Sequence, residues 1–241
     1  VVVNGRSKAS VQPTVADIVA ETNVPEDHVI GVVGDVSSAE GVDAFIQELT
    51  KVEEQVGRPV EILINNVGIF GVKDFVDIPD EKWFDYFNIN LMSGVRLSRH
   101  FLPSMLERNS GRILFVSSEC GLRPLPHMVP YSVSKTSQIS LARGLAEITK
   151  GTKVTVNSIL PGPTMTGGVR DYMRDFAKEH GIDNLEEAIK RYFAEHETTS
   201  LLQRFLDPRE VANVTVFLCS PHASGINGVA QHVDGGIVRH I

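Results

Sequence analysis

Tyr131 and Lys135 stand four residues apart in the run Tyr131-Ser132-Val133-Ser134-Lys135. On a helix that interval sets a phenol and an ammonium on one face, as neighbours that can touch. A tyrosine hydroxyl ordinarily ionises near pH ~10, and a cation held beside it favours the phenolate, so Lys135 is expected to lower the Tyr131 pKa. Such a pair can exchange a proton at neutral pH and act as a general acid or base. Of the four tyrosines, only Tyr131 has a lysine four residues on. A surface tyrosine one turn before a surface lysine has the same spacing, so the surrounding elements decide what the pair means.

Those elements follow a simple rhythm. Short β-branched runs alternate with longer helical stretches, the pattern of parallel strands joined by crossover helices. Strands are expected at Val1–Val3, Val29–Val33, Val60–Ile64, Arg112–Val116, Val154–Ile159 and Ala230–Val233. Most carry too little polar alternation for a half-exposed sheet, which predicts helices over both faces. Helical stretches fall near Thr14–Glu21, Ala39–Val56, Glu81–Glu107, Pro130–Thr149 and Pro208–Leu218. Two of them open on a capping oxygen three residues before a glutamate, at Ser37-Ser38-Ala39-Glu40 and Asp207-Pro208-Arg209-Glu210. The segment 165–205 breaks the rhythm: it lacks a strand pattern and carries Met165, Tyr172, Met173, Phe176, Tyr192 and Phe193, as a lid over a site would.

In an open α/β sheet the ligand sits at the carboxyl ends of the strands. Here those ends read Gly5-Arg6-Ser7, Gly34-Asp35-Val36, Asn65-Asn66-Val67-Gly68, Ser117-Ser118-Glu119 and Pro161-Gly162-Pro163-Thr164. All would face one crevice with Tyr131 and Lys135.

The chain here resembles the short-chain dehydrogenase/reductase family, in its classical branch and in particular its 3-oxoacyl-ACP-reductase-like members. The Asn-Asn-x-Gly element at Asn65–Gly68, the Tyr-x-x-x-Lys pair, the Pro161-Gly162 step and Val233-Asp234-Gly235-Gly236 occur in the family's order. The resemblance implies one doubly wound, Rossmann-like domain over 1–241 and hydride transfer between a nicotinamide cofactor and a carbonyl or secondary alcohol. It also implies the roles of single residues. Tyr131 transfers the proton, and Ser118, thirteen residues earlier, holds the substrate oxygen, although a serine in a strand-end turn also serves as a backbone cap. Lys135 tunes Tyr131 and binds the nicotinamide ribose, and Asn90 organises a water relay to it. Asp35 takes the adenine amino group with Val36 beside it, Asn65, Val67 and Gly68 border adenosine, and Pro161, Gly162, Thr164 and Thr166 line the nicotinamide. Arg6 and Ser7 stand where NAD-preferring members place an acid, which suits the 2′-phosphate of NADP, with NAD the other candidate.

One part of the family pattern is not found. No Gly-x-x-x-Gly-x-Gly occurs in the 241 residues, and Gly31-Val32-Val33-Gly34 flanks a strand instead of opening a helix. The family's first strand, turn and helix would precede Val1, so the sequence reads as part of a longer product, and a catalytically silent NADP-binding or regulatory protein on the same fold is the alternative to an enzyme. A formal charge of -7 spread without a basic stripe, and no apolar run of membrane-spanning length, speak against nucleic acid and membrane partners. Cys120 and Cys219 form no CxxC or metal pattern. A cytoplasmic protein acting on small molecules is the expectation, and the resemblance implies a homodimer or homotetramer packed through the helices around Trp83–Glu107 and Pro130–Thr149. Phe70, Leu125, His127 and Met128 would give its substrate pocket a largely apolar wall.

Overall fold

The computed structural model describes residues 1–239. Strands β1 (Val2–Gly5), β2 (Ile30–Val33), β3 (Ile62–Asn65), β4 (Arg112–Val116), β5 (Thr155–Pro161) and β6 (Ala230–Val233) alternate with helices α1 (Lys8–Thr22), α2 (Ala39–Val56), α3 (Asp80–Tyr86), α4 (Ser93–Glu107), α5 (Val129–Ile148), α6 (Gly167–Glu179), α7 (Leu185–Glu195) and α8 (Pro208–Cys219). Every strand pair is parallel, as βαβ connections require. The result is a doubly wound α/β domain with its strand ends gathered on one side. None of the helices among the described residues is long and apolar enough to cross a membrane.

Local chemistry sets the helix boundaries. The cap of α2 is Ser38, whose hydroxyl accepts from the Gly41 N–H, instead of Ser37 three residues before Glu40, and Gly57 takes a left-handed conformation (φ 68°) at the helix end. At α8 the Asp207 and Glu210 side chains form a reciprocal capping box, with Pro208 in the first turn. Helix α1 begins six residues before its expected start, at Lys8 instead of Thr14. Pro13 is carried inside the helix. The stretch 81–107 is one helical run interrupted by a π-helical segment, Phe87–Met92, between α3 and α4.

The ladders β1-β2 and β3-β4-β5-β6 do not pair with each other, so β1 and β3 each keep an edge without a strand partner among the described residues. The expectation that helices cover both faces fails at β3, where Ile62 and Ile64 are 47% and 45% exposed. Apolar composition marks a strand as suited to burial on both faces, but whether neighbours cover it depends on elements elsewhere in the chain. Strand β5, by contrast, is buried from Thr155 to Leu160. A shared core joins the two ladders: Val32 of β2, Val42, Phe45 and Leu49 of α2, Leu63 of β3 and Phe101 and Met105 of α4 form one cluster. The Arg96 guanidinium adds a 2.9 Å hydrogen bond to the Ser37 carbonyl across the same junction.

Candidate active site

Strand β4 delivers Ser117 and Ser118 to the crevice, and their environments separate their roles. Ser117 Oγ donates to the Lys135 carbonyl at 2.8 Å and ties the strand end to α5. Ser118 Oγ accepts from the Cys120 N–H at 3.1 Å, so it does cap the turn Glu119–Gly121. It also lies close enough to Tyr131 for its hydroxyl to favour the phenolate. Helix α5, with Pro130 in its first turn, presents the half-buried Tyr131 and the buried Lys135 and Gln138 along one side.

Lys135 is 4% exposed. Its Nζ donates to the Val116 carbonyl at 2.8 Å and to Gln138 Oε1 at 3.2 Å, and burial lowers the ammonium from its usual range to about 8. It stands 5.6 Å from the centre of the Tyr131 ring. The expected lowering of the Tyr131 pKa is not found. Burial pushes the phenol well above its ordinary value of 10.0, and Ser118 opposes that only in part. The physical reason is that the ammonium is turned toward Val116 and Gln138, while desolvation disfavours the phenolate.

Asn90 lies in the π-helical segment and is 0% exposed. Its Oδ1 accepts from the Ile69 N–H at 2.7 Å, and its Nδ2 donates to the Ile69 carbonyl at 3.0 Å and to Ser134 Oγ at 2.9 Å. The side chain thus clamps the loop after β3 to α5. Its main-chain carbonyl accepts from Gln138 Nε2. A π-helical bulge places an asparagine inward where a regular helix would set it differently, and such bulges are frequent at functional sites.

The residues expected around a cofactor fall in two groups. At the ends of β1 and β2 the Gly34 N–H donates to the Gly5 carbonyl at 3.0 Å, bringing Arg6, Ser7, Asp35 and Val36 together. The Asp35 carboxyl is held below its ordinary range, first by hydrogen bonds from Ser37 and to a smaller degree by the Arg6 charge. Val36 is buried in the core. The Asn65 side chain, on the last residue of β3, is buried, with Nδ2 3.5 Å from Ser98 Oγ of α4. Val67 and Gly68 stay exposed. A Cβ on Gly68 would sit 3.4 Å from Asn90 Oδ1 and 3.5 Å from Lys135 Nζ, so the glycine leaves the ammonium open from this side.

After β5, Pro161 pairs with Val233 of β6, and Gly162 approaches Asp234 so closely that a Cβ there would lie 2.7 Å from its backbone. Thr164 bridges to Leu206, and Thr166 caps α6 through a hydrogen bond from the Val169 N–H. The segment 165–205 folds as α6 and α7 around its own cluster of Met173, Phe176, Ala188, Phe193 and Phe205. Around the pocket wall, Phe70 meets Tyr131 edge to face at 6.4 Å, and His127 is exposed in its loop.

Three contributors were not foreseen. Gln138 joins Lys135 to Asn90, and its signal was present: it lies seven residues after Tyr131, a polar residue on the same helix face. Arg123 and Glu197 join the serine turn to the segment after α7, with Arg123 Nη2 at 2.8 Å from Glu197 Oε2 and Nε at 3.5 Å from Glu119 Oε2. A pairing across 74 residues leaves no local trace in a sequence. Burial is the main reason that the Glu119 carboxyl titrates above its usual value, and it pushes the neighbouring Cys120 thiol up to about 12.

Comparison with known proteins points one way. A family profile described as Enoyl-(Acyl carrier protein) reductase matches residues 1–238. The protein named Uncharacterized oxidoreductase YvrD of Bacillus subtilis (strain 168) is 50% identical over 241 residues, spanning 100% of this chain and 88% of that protein. Dehydrogenase/reductase SDR family member 4 of Bos taurus is 31% identical over 244 residues, or 100% of this chain and 79% of its own length. Among solved structures, L-sorbose reductase from Gluconobacter frateurii, complexed with NADPH and L-sorbose, superposes with a TM-score of 0.86 at 30% identity, covering 100% of this chain and 87% of that one.

Proposed function

Because the chain belongs to the short-chain dehydrogenase/reductase family of NAD(P)-dependent oxidoreductases, we propose that it moves a hydride between NADP(H) and a carbonyl or secondary alcohol, with Tyr131 as general acid or base. The observation that carries this reading is the convergence of the Ser118 hydroxyl, the Tyr131 phenol and the Lys135 ammonium at the end of β4.

The residues present fit both ends of such a cofactor. Gly68 leaves open the space over Lys135 that a Cβ would fill, and Arg6 beside Asp35 offers an exposed cation for a 2′-phosphate. Pro161, Gly162, Thr164 and Thr166 would line the nicotinamide, Lys135 its ribose, and Asp35, Val36, Asn65, Val67 and Gly68 the adenosine. A glycine-rich cradle for the pyrophosphate is not among the described residues. When bound, the reduced nicotinamide supplies the hydride. The protein's own residues handle the oxygen and its proton. Ser118 donates a hydrogen bond to the substrate oxygen, and Tyr131, kept protonated by burial, gives it a proton as the carbonyl carbon is reduced. The resulting phenolate is stabilised by Ser118 and by the positive charge of Lys135.

Segment 165–205 acts as the substrate lid in this reading, and Phe70, Leu125, His127 and Met128 shape an apolar side of the pocket. Exposed Val133 and Ile148 on α5 suit association as a homodimer or homotetramer. The G. frateurii enzyme's NADPH and L-sorbose support NADP as cofactor and a polar ketone among the first substrates to try. The test is NADPH oxidation by the protein with L-sorbose, a β-keto ester and a cyclic ketone. Tyr131→Phe is expected to abolish it, and retention of more than about a tenth of the rate refutes the acid role. Tight NADPH binding without turnover of any carbonyl favours the silent alternative instead.

A further inference from the structure

Gln138 is a buried polar side chain that packing does not explain. It is 1% exposed, and a leucine would fill its place without the cost of burying an amide. Both ends of that amide are committed: Nε2 donates to the Asn90 carbonyl, and Oε1 accepts from Lys135 Nζ at 3.2 Å. The reversed amide would set donor against ammonium and acceptor against carbonyl, so its orientation is fixed by its partners. The ammonium has three donors. One goes to the Val116 carbonyl and one to Gln138, which leaves the third for the side that Gly68 keeps open.

We propose that Gln138 is a positioning residue that anchors the Lys135 ammonium to the Asn90 main chain and thereby sets both its direction and its proton affinity. The proposal rests on the reading of Lys135 as the charge that stabilises the phenolate formed at Tyr131. The groups facing the ammonium make the dependence on Gln138 strong. From α5 itself comes the Tyr131 phenol, and from the turn after β4 the Cys120 thiol, both kept protonated by burial. Glu119 in that turn is committed to Arg123. Asn90 and Gly68, from the π-helical segment and the loop after β3, are uncharged. The hydrogen bonds that Lys135 Nζ makes go to two neutral oxygens, and Gln138 supplies one of them.

The experiment is a carbon-13 NMR titration of the lysine Cε signals in the full chain without nicotinamide, with the Lys135 signal identified by its loss in Lys135→Met. Gln138→Leu removes an acceptor and is expected to move the Lys135 midpoint down by about one pH unit. Gln138→Glu keeps the acceptor oxygen, adds a negative charge and is expected to move the midpoint up by about one unit or more. Gln138→Met replaces the leucine variant if thermal melting shows that variant to be unfolded. Shifts in opposite directions establish the role, whereas midpoints within about 0.3 units of the parent, or shifts of the same sign, overturn it. Because the readout needs neither cofactor nor substrate, it stands apart from any failure of the Tyr131 acid assignment, which Tyr131→Phe reports by itself.

Discussion

Replacing Arg123 by alanine offers a direct test of how the serine turn is held. The guanidinium lies between two carboxylates whose side chains are only 6% and 8% exposed, Glu119 and Glu197, and is itself 25% exposed. Breaking a fully buried ion pair from one side costs ~3–5 kcal/mol, because a charge is left buried without its partner. Exposed pairs contribute roughly 0–1 kcal/mol, so a quarter-exposed arginine between two buried acids points to about 2–3 kcal/mol. With an unfolding entropy of ~2.1 cal/mol/K per residue, a chain of this size loses about 0.5 kcal/mol for each degree, and the midpoint of thermal unfolding should fall by about 4–6 °C at neutral pH.

The pH dependence of that loss identifies its cause. Burial raises the folded-state pKa of Glu119 above its ordinary 4.5, and Arg123 works in the opposite direction. Removing Arg123 therefore raises it further. A carboxyl whose pKa is raised by folding costs no stability below its unfolded value, costs progressively more as pH rises from there to the folded one, and costs a constant amount above it. The deficit of Arg123→Ala should thus be small at pH 4.5 and grow toward pH 7, as followed by calorimetry across that range. Adding Glu119→Gln should recover about half of it. A deficit independent of pH, or one under about 0.5 kcal/mol at neutral pH, would refute the assignment of Arg123 as the neutralising charge.

Two further substitutions address the cofactor end of the site. Gly162→Ala places a methyl group 2.7 Å from the Asp234 backbone and should push apart the turns after β5 and β6, lowering stability by about 1–3 kcal/mol in urea unfolding. Arg6→Ala should weaken NADPH at least tenfold and leave NADH unchanged in fluorescence titrations, and an NADPH change within about twofold, or ~0.4 kcal/mol, removes Arg6 from the phosphate site.

How much of this was legible in the sequence depended on the range of the physics involved. Helix α2 and strands β4 and β6 were readable to the residue, since capping, glycine termination and β-branched runs act within a few positions. The Tyr131, Lys135 and Ser118 grouping was legible because chain order along parallel strands fixes which ends meet. The tuning of Tyr131 was not. Spacing shows that Lys135 can reach the phenol, but the competing attraction of Val116 and Gln138 and the depth of burial arise only from packing. The bare face of β3 escaped for the same reason.

Burial acts on Tyr131 and Lys135 with one sign: it favours a neutral phenol at the first and a neutral amine at the second. Proton donation requires the protonated phenol, which burial secures, together with the charged ammonium, which burial weakens. The first condition holds across the working range, because the Tyr131 pKa lies above 10.0. The second fails as pH passes about 8, where Lys135 loses its proton. For carbonyl reduction, kcat/KM should therefore be flat at neutral pH and decline above about 8, by tenfold for each further unit once the fall is established. Lys135→Arg, whose guanidinium stays charged, should lose absolute rate through its different shape but should also lose that alkaline limb. A parent profile that stays level more than about one and a half units above the Lys135 midpoint would mean that the ammonium is not the charge that stabilises the Tyr131 phenolate.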